Sequence, residues 1–227
     1  MMRRAMTLVF ALVLSAIAPA GAQDWTEYQN IQDGFKINFP GRPGISETTW
    51  LSEYEYTLPA RVYSAARGRE RYSVTVVDYA PIAPQGQERR KRCPAGAEPC
   101  IGSDLGGEGH WKHDTRGALE ELGDGKDNRA AKVTRYNWGH QDLVEGHHFQ
   151  LTNRDGSRTF GFVGMHEMKL YIVEATVPRG APEPALFVAS FGLLDKAGNE
   201  LRYRTLYSHE IHGLREAAPP GTAPPVP

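Results

Sequence analysis

Leu143-Val144-Glu145-Gly146-His147-His148-Phe149-Gln150-Leu151-Thr152 and Arg158-Thr159-Phe160-Gly161-Phe162-Val163-Gly164-Met165, joined by Asn153-Arg154-Asp155-Gly156-Ser157, decide the fold class. Both runs are apolar and aromatic at alternate positions, and Asp-Gly between such runs is a strong tight-turn signal. With Asp155 and Gly156 as the two central turn residues, Leu151 should face Phe160 and Phe149 should face Phe162. Those pairs would set one apolar face on a core. Runs 132–138 and 170–177 have the same character and bracket the hairpin. Four antiparallel strands in succession are the expectation for this region.

Working outward, Phe35-Lys36-Ile37-Asn38-Phe39 alternates apolar and polar residues and closes on Pro40-Gly41, the pattern of a half-buried strand and its turn. Runs 48–57 and 60–66, separated by Leu58-Pro59, and 72–79, ended by Ala80-Pro81, extend an antiparallel meander. Residues 84–109 change to Pro, Gly and charge and read as a long loop. Asp114 is placed to cap a short helix through Leu122, with Gly123 as its stop. Phe187, Phe191 and Leu194 recur at helical spacing behind Pro182 and Glu183, which predicts a terminal helix over 181–194. Lys196-Ala197-Gly198-Asn199 then turns the chain into a last strand at 201–207.

The ends of the chain speak to compartment. Arg3 and Arg4 precede an apolar run from 5 to 18, followed by Pro19 and the triplet Ala20-Gly21-Ala22. This is the three-part secretory signal, with cleavage expected between Ala22 and Gln23. The apolar run is shorter than the roughly 20 residues needed to span a bilayer, and no later stretch approaches that length. No cysteine follows the cleavage region, so lipid anchoring is not expected, and Arg3-Arg4 lacks the flanking residues of a twin-arginine signal. The chain carries 26 Lys and Arg against 27 Asp and Glu; loss of Arg3 and Arg4 would leave 24 against 27, a formal charge of −3. That balance does not suit a nucleic-acid partner. The expected organisation is a leader over 1–22, one folded unit over 23–214 and a disordered Pro-rich tail over 215–227. The exported chain should work in the periplasm or beyond it.

Gly34-Phe35-Lys36-Ile37-Asn38-Phe39-Pro40-Gly41-Arg42-Pro43 resembles the opening of proteins of the PsbP-like superfamily. Leu170-Tyr171-Ile172-Val173-Glu174-Ala175 with the later Phe187-Val188-Ala189-Ser190-Phe191 resembles that group's close. The resemblance covers most of the chain after the leader and is to the exported bacterial branch. It implies an α+β fold, an antiparallel sheet flanked by helices in an α/β/α sandwich. The superfamily includes extrinsic photosystem subunits and a Ran-binding protein, and its better-understood members bind other proteins or ions and are mostly not enzymes. This chain adds a cysteine loop and has no lipidation cysteine, so no member's functional residues carry over.

Cys93 and Cys100 are the two cysteines, within Cys93-Pro94-Ala95-Gly96-Ala97-Glu98-Pro99-Cys100. In an exported chain they read as a disulfide that shapes one Pro/Gly-rich loop. The sharper alternative is a redox pair, which usually has C-x-x-C spacing at a helix start. Arg89, Arg90, Lys91 and Arg92 form the one dense basic run, either a patch for an anionic surface or envelope protein, or a solvated loop offset by Glu88 and Glu98. His110 and His113, with Asp114 or Glu108, are the weak metal-ligand candidates. His209-Glu210-Ile211-His212 has the wrong spacing for the zinc-protease motif. His147 and His148 adjoin on a strand and should point to opposite faces, so they cannot chelate one ion together. Neither a nucleophile elbow nor a phosphate or dinucleotide loop occurs, and no cofactor is expected. Two functions follow: a binding or assembly module without a catalytic site, or a metal-dependent hydrolase assembled around His110 and His113.

Overall fold

The computed structural model describes residues 25–53, 55–94 and 131–208. The leader, Cys100, His110, His113, the expected helix at 114–122, His209, His212 and the tail at 215–227 lie outside the described residues.

The described chain runs β1 (Trp25–Asn30), β2 (Phe35–Pro40), β3 (Gly44–Leu51), β4 (Thr57–Arg67), β5 (Glu70–Asp78), α1 (Ile82–Lys91), β6 (Lys132–Gln141), β7 (Val144–Thr152), β8 (Arg158–His166), β9 (Lys169–Val177), α2 (Ala185–Ala189) and β10 (Gly192–Leu193). Seven strands form one antiparallel sheet in the order β3-β4-β5-β9-β8-β7-β6, and β1-β2-β10 form a second. The large sheet therefore joins two meanders through the β5–β9 pairing. All four strands expected between 132 and 177 are present.

Strand alternation gives the large sheet two apolar faces. Tyr63, Tyr72, Val74, Phe162, Tyr171 and Val173 pack against Phe35, Ile37 and Phe39 of β2 and against Phe187 and Phe191. Leu58, Val77, Phe149, Leu151, Val163 and Ile172 form a second cluster on the other face, joined by Tyr79 and by Ile82 at the start of α1. The layer over the first face is thus mostly a small sheet, where the resemblance implies a helical one. Only five residues of the 181–194 stretch are helical. Pro182 and Pro184 withhold amide donors at its start, and Gly192-Leu193 instead pairs with Lys36 and Phe35. Phe187 and Phe191 are buried all the same.

The central hairpin differs from expectation by one residue. Leu151 pairs with Thr159 and Phe149 with Gly161. The Asp155 carboxylate accepts from the Ser157 amide at 2.9 Å and its hydroxyl at 2.6 Å, opening the loop to Asn153–Ser157. A one-residue slip reverses the faces: Phe149 and Leu151 lie in one core cluster and Phe162 in the other. Gly161 is required here, because a Cβ would stand 2.4 Å from the Phe149 ring and 2.3 Å from the Val173 carbonyl.

Three further expectations move. The break between β3 and β4 falls at Ser52, whose amide donates to the Tyr56 carbonyl and whose hydroxyl accepts from the Tyr56 amide. Pro59 stays within β4, since β4–β5 pairing starts only at Ala60 with Val77. The start of the 84–109 stretch is helix α1, not loop. Pro84 is its third residue, and amides in the first turn have no helical acceptor to lose. Residues 201–207 form no strand; Tyr207 makes a single parallel bridge to Val144.

Candidate functional site

The small sheet meets the large one at two ends, and each end carries a distinct cluster. At the β1–β2 turn, Asp33 is 2% exposed. Arg61 and Tyr63 alternate onto the same face of β4, and Lys169 and Tyr171 onto the same face of β9. The Arg61 guanidinium donates to Asp33 Oδ1 at 2.7 Å and the Tyr63 hydroxyl to Oδ2 at 2.5 Å. Lys169 Nζ donates to the Gln32 carbonyl at 2.5 Å, and the Tyr171 hydroxyl to the Asp33 carbonyl at 2.9 Å. Gly34, at φ +69°, closes this turn in a conformation that suits glycine. Burial, then the Asp33 partner, pushes the Tyr63 hydroxyl far up. Burial likewise lowers the Lys169 ammonium, against the pull of Asp33. Every polar group named here is spent on tying the turn to β4 and β9, so this cluster is a structural knot.

The opposite end is open. Trp25 starts β1, and its ring meets Tyr72 edge-on at 5.0 Å and tilts toward Phe187 at 6.3 Å. Tyr72 and Phe187 are 5.0 Å apart between ring centroids. Together with Pro182, Pro184 and Leu186 these rings line a groove of about 500 Å³. Trp25 is 38% exposed and Leu186 is 87% exposed, although Tyr72 and Phe187 beneath them are buried. On the rim the Arg67 guanidinium lies 5.4 Å over the Trp25 ring. Its Nε and Nη2 both reach Glu70 Oε2 at 3.0 Å, and the Tyr72 hydroxyl donates to that oxygen at 2.8 Å. Burial first, and Glu70 second, push the Tyr72 hydroxyl up to about 12. Such a set of side chains offers ring faces, one aliphatic knob and a closed ion pair. Through its ring faces it can bind a ligand.

A second hollow of about 470 Å³ lies on the other face of the large sheet, lined by Arg71, Ser73, Asn153, Thr159, Glu174 and Thr176 among others. Its hydroxyls and amide are largely joined to one another: Asn153 Nδ2 donates to Ser157 Oγ at 2.9 Å and to Thr159 Oγ1 at 3.1 Å, and Thr159 and Thr176 hydroxyls are 2.8 Å apart.

Of the residues singled out in the sequence, Arg89, Arg90 and Lys91 lie on the last turn of α1 and Arg92 follows it. Arg89 sits 4.1 Å over the Tyr56 ring and donates to the Glu55 carbonyl at 3.2 Å. Lys91 pairs with Glu88 at 2.6 Å. Arg92 Nε donates to the Glu88 carbonyl at 3.4 Å, so Arg89, Lys91 and Arg92 are all turned to their own chain. Cys93 lies just past α1, while Cys100, its expected partner, is outside the described residues, as are His110 and His113. Among the described residues no three His, Cys, Asp or Glu side chains gather closely enough to hold a metal ion. His147 stacks on Tyr136 at 4.7 Å and His148 tilts onto Phe162 at 5.1 Å, so the two rings do serve opposite faces.

No family model and no curated protein sequence matches the chain. Among solved structures it is similar to the solution structure of PsbP (CyanoP) from the cyanobacterium Synechocystis sp. PCC 6803. Identity is 15%, the TM-score is 0.46, and the match covers 79% of this chain and 98% of that one. Among the described residues no helix is long and apolar enough to cross a membrane.

The groove was not legible in the sequence. Trp25, Arg67, Tyr72 and Leu186 come from four separated segments, and only Tyr72 and Phe187 sit in runs whose periodicity marks them as facing inward. The one available signal was an unassigned Leu186 between a proline pair and the buried Phe187.

Proposed function

We propose that this protein is an exported binding module that docks a partner protein of the cell envelope in the Trp25–Tyr72–Phe187 groove. The observation that carries the reading is Leu186, 87% exposed beside a 38% exposed Trp25 over buried rings. Large apolar side chains left in water next to a concave aromatic floor are the usual makings of a protein-binding hot spot. Export is supported by the leader pattern in residues 1–22. The test is site-specific photocrosslinking from position 186 in intact cells. A discrete envelope-protein adduct that disappears in Trp25→Ala is expected; no adduct at any growth phase would sink the reading.

Beside it, we read Cys93 and Cys100 as joined in the exported chain. Cys93 lies two residues after the last residue of α1, so a bond to Cys100 would anchor the following loop on a helix end. Intact mass before and after alkylation decides this, and two freely alkylated thiols would refute it. Replacing both by serine should cost at most about 2 to 3 kcal/mol.

A further inference from the structure

We propose that β6 is the contact strand of a two-fold symmetric dimer, in which two copies of this chain join their large sheets edge to edge. β6 ends the large sheet and is separated from β5 and the groove by β9, β8 and β7. Every residue from Lys132 to Trp138 is exposed, Trp138 at 58%. The hairpin that follows decides which way the strand's backbone points. Asp142 and Leu143, at φ +48° and +61°, form a two-residue turn between the paired Gln141 and Val144. A turn of that length closes on a hydrogen-bonded pair, so Gln141, Gly139, Asn137 and Arg135 direct their amides and carbonyls to β7. Those of His140, Trp138 and Tyr136 point to the edge. Glu145, opposite His140, obeys the same alternation: its amide turns away from β6 to the Tyr207 carbonyl at 2.9 Å.

A second copy fits this edge through the residue pattern. A two-fold axis normal to the sheet keeps each face on its own side, so opposed residues must share a face, and hydrogen-bonded pairs must join residues that point outward. An axis at Asn137 meets both conditions and engages the whole strand. Tyr136 of each copy then opposes Trp138 of the other, an aromatic cross-strand pair made twice on one face. On the other face Arg135 opposes Gly139 of the second copy, so no two cations face each other. The bulge between Val133 and Arg135 takes up one residue, and Lys132 falls beside Gln141 and the acidic Asp142 of the second copy. An axis at Arg135 would instead set two guanidiniums against each other. The Asn137 amide donates to the Tyr136 carbonyl at 3.0 Å, and that oxygen keeps a second lone pair for an amide across the edge. The opposite edge, β3, carries Glu47 near its middle, where the same operation brings two carboxylates together. Trp138 and Tyr136, 58% and 41% exposed, present roughly 200 Å² of ring surface per copy. That area suits a weak, concentration-dependent dimer.

The experiment follows the exported chain, residues 23–227, by sedimentation over a concentration series. A reversible dimer in about the micromolar range is expected. Trp138→Lys, which puts a charge on the edge, should weaken it by at least about tenfold. Leu186→Asp, in the groove, should leave it unchanged. Register is read by oxidation with diamide in a Cys93→Ser, Cys100→Ser background. Asn137→Cys should give a covalent dimer of doubled intact mass, since its Cα would lie about 4.5 Å from that of the second copy. Arg135→Cys should stay monomeric, its two copies being four residues out of register and roughly 13 Å apart. A chain that stays monomeric up to about 100 µM, or one that forms open-ended oligomers, overturns the proposal. A dimer that persists in Trp138→Lys while Asn137→Cys does not crosslink also overturns it, because another surface then holds the copies. A dimer lost in Leu186→Asp moves the contact to the groove, with the same consequence. Should circular dichroism show Trp138→Lys unfolded, crosslinking at 137 but not at 135 upholds the proposal and any other pattern overturns it.

Discussion

The two ends of the small sheet face the same large sheet with opposite solutions. At the β1–β2 turn, Asp33 draws Arg61 and Tyr63 onto itself, while its own carbonyl and that of Gln32 take Tyr171 and Lys169. At the other end Trp25 and Leu186 keep apolar surface in water over Tyr72 and Phe187. A buried charge is tolerable only when its partners are all present, so the turn end must be rigid and specific. Exposed rings carry no such constraint and can wait for a ligand. One sheet-to-sheet contact thus supplies both an anchor and the open edge proposed as a docking site.

The largest test removes the anchor. Asp33→Ala should lower stability by about 3 kcal/mol, because the buried Tyr63 hydroxyl loses its acceptor and the half-buried Arg61 loses its ion-pair partner. Urea melts would read it as a lower midpoint. A loss below about 1 kcal/mol would mean the knot is dispensable. Trp25→Ala, at the open end, should cost less, about 1 to 2 kcal/mol for the lost ring contacts with Tyr72 and Phe187. It should also abolish partner capture. If Trp25→Ala proved costlier than Asp33→Ala, the open edge would be the true anchor.

Alkali sharpens the contrast through the tyrosines. Burial holds the Tyr63 and Tyr171 hydroxyls well above their ordinary value, and the Tyr72 hydroxyl up to about 12. In the unfolded chain all three ionise near 10. Their contribution is therefore complete below about pH 10 and is lost as pH rises through the folded values. Tyr72→Phe should flatten the loss of stability between about pH 10 and 12, whereas Tyr63→Phe should keep flattening it at higher pH. Identical alkaline profiles for the two variants would erase the distinction between the ends. The smallest effect on stability belongs to Leu186→Asp, expected within about 0.5 kcal/mol of the parent while still blocking the groove.

The strand positions were readable because alternation is a local property: 132–177 and 35–39 show it within a few residues of sequence. The register of the Asp155-Gly156 hairpin was less so, since the Asp155 side chain takes the Ser157 amide and adds residues to the loop. Helix α1 was hidden by Pro84 and Gly86, which count against a helix in composition, although Pro84 stands in the first turn where it costs no hydrogen bond.

By itself, the sequence determined the antiparallel β character, most of the strands and the burial of Phe187 and Phe191. Each depends on neighbours a few residues apart. Tertiary structure alone decided that residues 192–193 would complete a second sheet, that Asp33 would meet Arg61 and Tyr63 of β4, and that Trp25 would sit over Tyr72 and beside Leu186. Those pairings join segments 28 to about 160 residues apart, where no periodicity reaches and only the packing of two sheets chooses the partners.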